Sequence, residues 1–420
     1  MANPGVGAAG IMGIAFEVLP PPTTLTATPS AGGGLTAGTY KYYVTAINAS
    51  GETTVSNEAT GTTAAGNLTN HLAWTAVTGA TGYRVYRTAA GGATNTELFL
   101  ASVTAPTVTY DDTAVGSPTG AFPNTNTASN SGVYVAPTKF IPFESESLTS
   151  TKATIWRRPI RQSADIIGAV PGNFDVEGDI SMEGMEDCSL YWLMASRVNV
   201  VKTGSTNLTY TFTPSPTAIP LKTLSITVVR NNIVFGFVGC VVGSQTFTVS
   251  DGILMHNVKI IGRDEAVQTT PTPTWPTTVP FGAGQYSIEI PTGTPVLDTD
   301  NFEMTLEDNA EAQYRLKSGS RGAQFIKFGE HATTLSFDRD FLDRTDFDNF
   351  KSLTSQDITI TATKGTNNSI SMQLPVTIKD TYEVTNSGQG DLVRASLKYN
   401  GVIDGSGKSY QITLKTQENV

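Results

Sequence analysis

The stretch "NFDVEGDISME", residues 173 to 183, alternates acidic and apolar residues in a way that indicates a β-strand. Side chains of a strand point alternately to its two faces. One face then carries Phe174, Val176, Ile180 and Met182. The other face carries Asp175, Glu177, Asp179 and Glu183. Because like charges on one sheet face destabilise it, this row of acids either faces open water or serves a purpose.

The rest of the chain is rich in strand-forming and turn-forming residues. Only 15% of its 420 residues are charged, and 40 Gly and 22 Pro interrupt it throughout. β-Branched and aromatic segments between such turns are typical of short strands. A chain of this length holds two or three domains of roughly 100–200 residues each. We therefore expect an all-β protein with several domains.

The charge balance and the apolar pattern argue against several classes of protein. The net charge is -10 and the sequence pI is near 4.9, so the basic surface that binds nucleic acid phosphates is missing. The apolar run at 233–242 is about half of the ~20 residues that a membrane helix needs. The first residues have no Lys or Arg ahead of their apolar part, which argues against a secretory signal. We expect synthesis and assembly in a cytoplasm, without membrane association.

The cysteines and histidines do not predict a site. Cys188 and Cys240 are too few for a disulfide framework, and with three scattered histidines they do not make a structural zinc site. We expect both cysteines to be buried apolar residues. His331 stands before a predicted strand without a Ser or Cys motif that it could serve as a base.

The carboxylates do not predict a metal site or an enzyme either. The segment "LDTDNFE", with Asp298, Asp300 and Glu303, lacks the Gly and the spacing of an EF-hand loop. A glycosidase pair needs two carboxylates in different environments, which a uniform alternation such as Asp175 and Glu177 does not provide. We predict no catalytic, cofactor or metal site.

Residues 20–131 differ in composition from the rest and carry few charges. Within them "YYVTAINASGE" and "GYRVYR" resemble immunoglobulin-like or fibronectin type III domains, although they occur in the reverse of the usual fibronectin order. Pro-rich stretches before and after them look like exposed linkers, where insertion of a domain is tolerated. We expect an inserted immunoglobulin/fibronectin-like β-sandwich.

The remainder of the chain contains a weak internal repeat. In each copy an acidic strand precedes a short helix, "GMEDCSLYWLMAS" at 184–196, which we expect to be amphipathic, and "DRTDFDNFKSLTS" at 343–355. Each copy then has a β-rich segment that ends on a paired amide, a turn signal, at 221–232 and 355–368. The first copy alone has a long excursion, 197–220. This order predicts one domain from 1–19 and 132–268, a linker at 269–280 and a second domain at 281–420.

Three segments of the first copy together resemble the major tail tube proteins of long-tailed (siphovirus-type) phages that infect actinobacteria. They are "GIMGIAFEV", "YVAPTKFIPFESESL" and the stretch from "IWRRPIRQ" to "YWLMASR". The resemblance implies two duplicated tail tube domains of β-sandwich or barrel type, each with a flanking helix. It also implies a structural virion protein of the phage tail, assembled in the host cytoplasm.

Proteins of this family stack as rings into a tube, and each ring holds six domains whose four-stranded sheets form the inner wall. With two such domains in one chain, the resemblance implies a homotrimer that forms a pseudo-hexameric ring; a hexamer is the alternative. The implied partners are further copies of the chain, the tape measure protein and genomic DNA in the lumen, and tail terminator and tail-tip proteins. A related tail-tip ring is a second role that the sequence leaves open.

The acidic rows gain a purpose if they line such a channel. DNA carries one charge per ~1.7 Å of axis, and a wall that contacted even 6–10 phosphates would hold it. We predict lumen-facing acids that let the duplex slide during ejection of the genome. In the first half they are Asp175, Glu177, Asp179 and Glu183, and in the second half Asp338 and Asp340, with Glu303 and Glu307 as an extension of the second row.

The densest basic cluster, "WRRPIR", predicts a contact between subunits, since Arg binds carboxylates in a bidentate way. The cluster holds Arg157, Arg158 and Arg161. The acids that could meet it in a neighbouring subunit are Glu144 and Glu146, or Glu186 and Asp187. An ordinary solvated loop is the alternative interpretation.

Two other functions fit parts of the sequence. An adhesin or carbohydrate-binding protein is consistent with the immunoglobulin-like module, which could bind host surface glycans while it projects from a tube. A secreted polysaccharide hydrolase would need a leader peptide and a catalytic pair, and neither is indicated.

Overall fold

The computed structural model describes residues 10–114, 116–124, 126–158, 165–215, 222–250, 252–266, 268–299, 301–316, 321–386, 388 and 391–419. Strands dominate these residues, and the two helices found there are short. The paired strands are antiparallel. The prediction of a β protein is therefore confirmed. None of the helices in the described part is long and apolar enough to cross a membrane.

The chain separates into two compact units, residues 16–133 and residues 1–15 with 134–420. The smaller unit has a three-stranded sheet in the order β2-β5-β8 and a four-stranded sheet in the order β4-β3-β6-β7. Its strands are β2 (Thr26–Ser30), β3 (Gly38–Ile47), β4 (Ala59–Thr63), β5 (Thr69–Ala73), β6 (Gly82–Arg87), β7 (Leu98–Thr104) and β8 (Thr109–Asp112). The two sheets share one core, in which Tyr42, Val44, Leu72 and Val85 are fully buried.

The larger unit contains the remaining strands and both helices. Up to the first helix they are β1 (Ile11–Phe16), β9 (Lys139–Phe140), β10 (Ser145–Glu146), β11 (Thr149–Arg157) and β12 (Gly168–Glu183). Helix α1 (Glu186–Met194) is followed by β13 (Val198–Thr203), β14 (Leu208–Pro214), β15 (Leu224–Arg230), β16 (Ile233–Ser250), β17 (Ile253–Gly262) and β18 (Asp264–Ala266).

The second half of this unit repeats part of that order. Its first strands are β19 (Tyr286–Glu289), β20 (Pro295–Val296), β21 (Glu303–Glu307), β22 (Glu311–Gln313), β23 (Phe325–Lys327) and β24 (Ala332–Asp340). Helix α2 (Thr345–Lys351) is followed by β25 (Gln356–Lys364), β26 (Asn368–Thr385), β27 (Arg394–Gly401) and β28 (Gln411–Thr416). Residues 269–280, the predicted linker, contain neither strand nor helix.

One sheet runs through both halves of the larger unit in the order β11-β12-β17-β16-β21-β24-β27-β26. Its middle joint is the pairing of β16 with β21, in which Thr246 lies opposite Thr305. This joint explains why the two predicted tube domains fall into one compact unit. The boundaries between them stay a prediction.

The two halves carry β-bulges at corresponding positions. In the first half, the pairing of β16 with β17 shifts between Val242 and Ser244. In the second half, the pairing of β26 with β27 shifts between Lys379 and Thr381. The hairpins β15-β16 and β25-β26 each contain a second shift, at 224/226 and 356/358. Because each bulge adds one unpaired residue and bends the strand, both long strands are bent in the same way.

The turns after β15 and β25 confirm the paired-amide signals. Asn231 and Asn232 have positive φ values of 49° and 63°, and Arg230 pairs with Ile233 across them. Two left-handed residues form the type I′ turn that suits a two-residue hairpin, and Asn tolerates that conformation. Lys364 pairs with Asn368 in the second hairpin.

Both predicted helices are present, but the amphipathic character expected for α1 is wrong. Every residue from Glu186 to Leu193 is buried. Helix α1 packs against β13, β26 and β28, which come from the excursion at 197–220 and from the second half. Because the cover comes from distant segments, the local spacing of apolar residues did not reveal it.

Candidate functional site

The alternation predicted for residues 173–183 is present in β12. Val176, Ile180 and Met182 are buried on one face. Glu177 and Asp179 are exposed on the other face. Asp175 and Glu183 lie on this second face too and are partly buried.

The register of the strands extends this polar face into the second half. Residues directly opposite each other on neighbouring strands point to the same side of a sheet. Asp179 lies opposite Lys259, and Lys259 lies opposite Ser244. Ser244 in turn lies opposite Glu307 of the second half. The polar face of β12 is thus continuous with that of β21.

The same face continues to the last strand of the sheet. Glu303 lies opposite Ser336, and Asp338 lies two residues further along β24. Asp338 lies opposite Ser396, which lies opposite Glu383. Asp340 lies opposite Arg394. The structure therefore brings all six predicted acids, together with Glu303 and Glu307, onto one face.

We call this surface the acidic face and define it by its charged members. The acids are Asp175, Glu177, Asp179, Glu183, Glu303, Glu307, Asp338, Asp340 and Glu383, and the bases are Lys259, Arg394 and Lys398. Nine acids and three bases among the described residues of the sheet leave an excess of six negative charges. Ser and Thr occupy most of the positions between them, such as Ser244, Thr246 and Thr248.

The opposite side of the sheet is the hydrophobic core. Phe247, Met304, Leu335 and Leu397 are all buried and belong to one cluster. Burial of apolar area at about 25 cal/mol per Å² fixes which side of each strand faces inward, since a slip by one residue would expose the core. The acidic face is the side that the fold leaves open.

Acids of the two halves differ in their local partners. Asp338 accepts a hydrogen bond from Asn301 Nδ2 at 3.0 Å and one from Ser396 Oγ. Asp340 lies 3.7 Å from Arg394 Nε. In the first half Asp175 accepts a hydrogen bond from Tyr314, and burial together with this bond raises the pKa of the Tyr314 hydroxyl. Glu177 and Asp179 of the first half are the exposed acids of β12.

Sequence reasoning missed Glu383 and the three bases of this face. The bases lie in alternating segments, "HNVKIIG" for Lys259 and "VRASLKYNG" for Arg394 and Lys398. Alternation could have assigned each base to one side of its own strand. Which side is shared with Asp179 depends on register, which the sequence does not give.

The residues predicted to join subunits are found in different environments. Arg157, Arg158 and Glu144 are exposed, whereas Arg161 lies outside the described residues. Glu146 is bonded within the chain to Arg230, at 2.7 Å and 2.5 Å. The contact between subunits stays a prediction. Arg230 would compete with an arginine of a neighbouring subunit for the carboxylate of Glu146.

Glu186 and Asp187, the other acids considered for that contact, are buried. Asp187 accepts a hydrogen bond from Lys139 at 2.9 Å, and Glu186 accepts one from Lys364 at 3.1 Å. The idea that they meet the arginines of a neighbour is wrong, because both are enclosed with a base of their own chain.

The described residues contain no group of three or more His, Cys, Asp or Glu side chains that could hold a metal ion. Asp298 is paired with Arg339 at 3.0 Å, and Asp300 lies outside the described residues. His331 Nδ1 lies 2.7 Å from Asp308. Cys188 and Cys240 are buried, as predicted, and neither is in a disulfide. Burial raises the pKa of the Cys188 thiol.

Comparison with known proteins gives one family. The family described as "Phage tail tube protein" matches residues 109–401, which is more than half of the chain. The match includes all strands from β9 to β27 and both helices. A search of curated proteins found no match.

Proposed function

The chain belongs to the phage tail tube protein family, and from this premise we propose that it forms stacked rings whose inner wall is the acidic face. Family membership makes it a structural protein of the virion tail that self-assembles into a tube, and not an enzyme.

The observation that carries the proposal is the continuity of the acidic face over eight strands from both halves. A tube wall needs a broad sheet with a core behind it and an open surface in front of it. This sheet has both, and its open surface has an excess of six negative charges among the described residues. Such a surface does not neutralise phosphates, so DNA does not bind to it.

We propose further that the two halves arose by duplication and that three copies complete one ring. The corresponding bulges and the corresponding order of strand, helix, hairpin and strand support the duplication. Each half supplies four strands to the acidic face, so six such halves in a ring correspond to three chains. The contact between copies is heterologous, because it joins two different surfaces of the chain. Such contacts can close into a ring, and the rings then repeat along the axis of the tube.

We also propose that residues 16–133 are an inserted immunoglobulin-like or fibronectin-like module. The support is the arrangement of seven strands in a three-stranded and a four-stranded sheet around one core, which is typical of such sandwiches. The strands with the two sequence motifs, β3 and β6, are neighbours in the four-stranded sheet.

Electron microscopy of the purified protein tests the assembly. We expect long hollow tubes whose inner wall, in a reconstruction, carries Glu177 and Asp179. Particles that stay single under all conditions would contradict tube formation, and tubes with these carboxylates on their outer surface would contradict the role of the acidic face.

A charge reversal tests the function of the wall. Tubes of a Glu177→Lys/Asp179→Lys variant should retain duplex DNA at about 50 mM salt and release it near 200 mM, since phosphate contacts weaken steeply with salt. The matched control is Asp348→Lys, an exposed acid on α2 away from this face. Equal retention of DNA by wild-type and variant tubes would show that the face does not meet DNA.

A further inference from the structure

The acidic face ends at two strands that have no partner on their outer side among the described residues. At one end β11 pairs with β12 alone, and from Thr149 to Arg157 nearly all of its residues are exposed. At the other end the last part of β26, from Thr381 to Thr385, pairs with β27 alone. Open edges of this kind readily pair with another strand.

The two open edge strands correspond to two strands that pair with each other inside the chain. Strand β26 corresponds to β16, and β11 corresponds to β21. The bulge shared by β16 and β26 makes Ser244 equivalent to Thr381, because each lies opposite the Lys on the next strand, Lys259 or Lys398. Counting along the strands makes Thr246 equivalent to Glu383.

The other side of the joint corresponds in the same way. Lys259 and Lys398 lie opposite Asp179 and Ser336, so β12 is equivalent to β24. Thr149 lies opposite Glu177 on β12, and Thr305 lies opposite Thr334 on β24. Glu177 lies two residues before Asp179, and Thr334 lies two residues before Ser336, so Thr149 is equivalent to Thr305.

We infer that β26 of one copy pairs antiparallel with β11 of a second copy, with Glu383 opposite Thr149 and Thr381 opposite Thr151. The register is copied from the joint inside the chain, where Thr246 lies opposite Thr305 and Ser244 opposite Glu307. The occupant of each open edge is therefore another copy of this chain. We call this pairing of β26 with β11 of the next copy the seam, and it extends the acidic face from copy to copy. The inference rests on the proposed self-assembly and adds the residues and the register.

The start of the seam is set by contacts already made. The N–H of Leu148 donates to the Glu146 carboxylate at 3.1 Å, and Arg230 donates to the Leu148 carbonyl at 2.5 Å. These two side chains satisfy the backbone of Leu148, so pairing with the second copy begins at Thr149. Val384, which is 43% exposed, is equivalent to the buried Phe247 and becomes covered at the seam.

Polar side chains face each other at the seam, as they do at the internal joint. Thr246 and Thr305 share a hydrogen bond of 3.0 Å between their hydroxyls on the acidic face. In the inferred seam the Thr149 hydroxyl faces the Glu383 carboxylate, which accepts such a bond. The pairing therefore keeps a polar contact at the same place on the wall.

Paired cysteines test the register. In tubes of a Thr149→Cys/Glu383→Cys variant we expect disulfide-linked copies, because directly opposite residues have Cα atoms close enough for a disulfide. A Thr151→Cys/Thr385→Cys variant, which is four residues out of register, should give less than about a tenth as much, since each residue of slip adds ~3.4 Å. Buried Cys188 and Cys240 do not compete.

Amide hydrogen exchange tests the seam without a mutation. On assembly of the wild-type protein, residues 149–153 and 381–385 should become protected by at least about tenfold, whereas 244–248 and 303–307 are protected in both states. Tubes without this protection, or tubes in which the out-of-register cysteines link as well as the matched pair, would overturn the register but leave the tube itself in place. Wild-type protein that forms no tubes would overturn the proposed function and the seam together.

Discussion

Helices α1 and α2 follow corresponding strands of the two halves, yet they are embedded very differently. Helix α1 is buried along its length, with Trp192 and Leu193 fully enclosed. Helix α2 has no buried residue, and its Phe347 and Phe350 contact Tyr382 of β26. Helix α1 is covered by β13 of the first half and by β28 of the second half, and the second half has no equivalent of the excursion at 197–220.

The helices are nevertheless anchored in the same way. Asp187 of α1 pairs with Lys139 at 2.9 Å, and Asp346 of α2 pairs with Lys379 at 2.6 Å. Both lysines are largely enclosed, with 12% and 0% of their side chains exposed. What separates the helices is therefore the apolar cover. Two helices at corresponding places in the chain thus differ in role, since α1 is part of the core and α2 is a surface element.

Truncation of the largest apolar side chain should show the greatest difference between the helices. Trp192→Ala should lower the free energy of unfolding by about 4 kcal/mol, because it leaves a cavity and removes the indole N–H that donates to Met182. The matched change Phe350→Ala, at a half-buried position, should cost about 1 kcal/mol. Urea unfolding of the unassembled protein measures both. Equal losses would mean that α2 is as enclosed as α1.

Removal of either lysine anchor should destabilise the protein, with the larger loss in the first half. Lys139→Met should cost about 3 kcal/mol in the same urea assay, since it leaves the enclosed Asp187 without its lysine partner. Lys379→Met should cost about 2 kcal/mol, because Arg339 still pairs with Asp346 at 2.9 Å. Arg344→Met is the control, because the Arg344–Asp348 pair is about two-thirds exposed and its loss should cost less than about 0.5 kcal/mol. A loss at Lys379 no larger than that of the control would argue against a common anchor.

A buried histidine of the first half should make the stability sensitive to acid. His256 is buried beneath α1, where Ser189 lies 3.0 Å from Nδ1 and Gln245 Oε1 lies 3.1 Å from Nε2. Burial lowers the pKa of His256 to about 3. The unfolded chain binds a proton near pH 6.5 and the folded chain does not, so stability is full above pH 6.5 and falls as the pH drops toward 3.

This histidine should account for a loss of about 2 kcal/mol between pH 7 and pH 5. Unfolding measured at both pH values should show the loss in the wild-type protein. In a His256→Gln variant this part of the pH dependence should disappear, whatever its stability at pH 7. The corresponding position of the second half is Ala395, which does not titrate. An unchanged pH dependence in the variant would assign the loss to other groups.

Local pattern was enough to predict the strand at 173–183, its two faces and both helices. It also gave the common order of elements in the two halves, since acids, amides and apolar residues recur in the same sequence. The burial of α1 was not predictable, because residues 198–214 and 411–416 cover it from far along the chain. The bases of the acidic face were missed for a related reason, since only the register shows that Lys259 lies beside Asp179.

The joint between β16 and β21 has a consequence for the kinetics of assembly. The proposed three-copy ring has six contacts between neighbouring halves. Three of them are the β16–β21 joints, which form when each chain folds, so their formation does not depend on protein concentration. Assembly of the ring then takes two encounters between molecules before the last contact closes within the particle, where six separate halves would need five encounters. Fusing two wall segments into one polypeptide thus lowers the reaction order of ring nucleation, which favours tube growth when the protein is scarce.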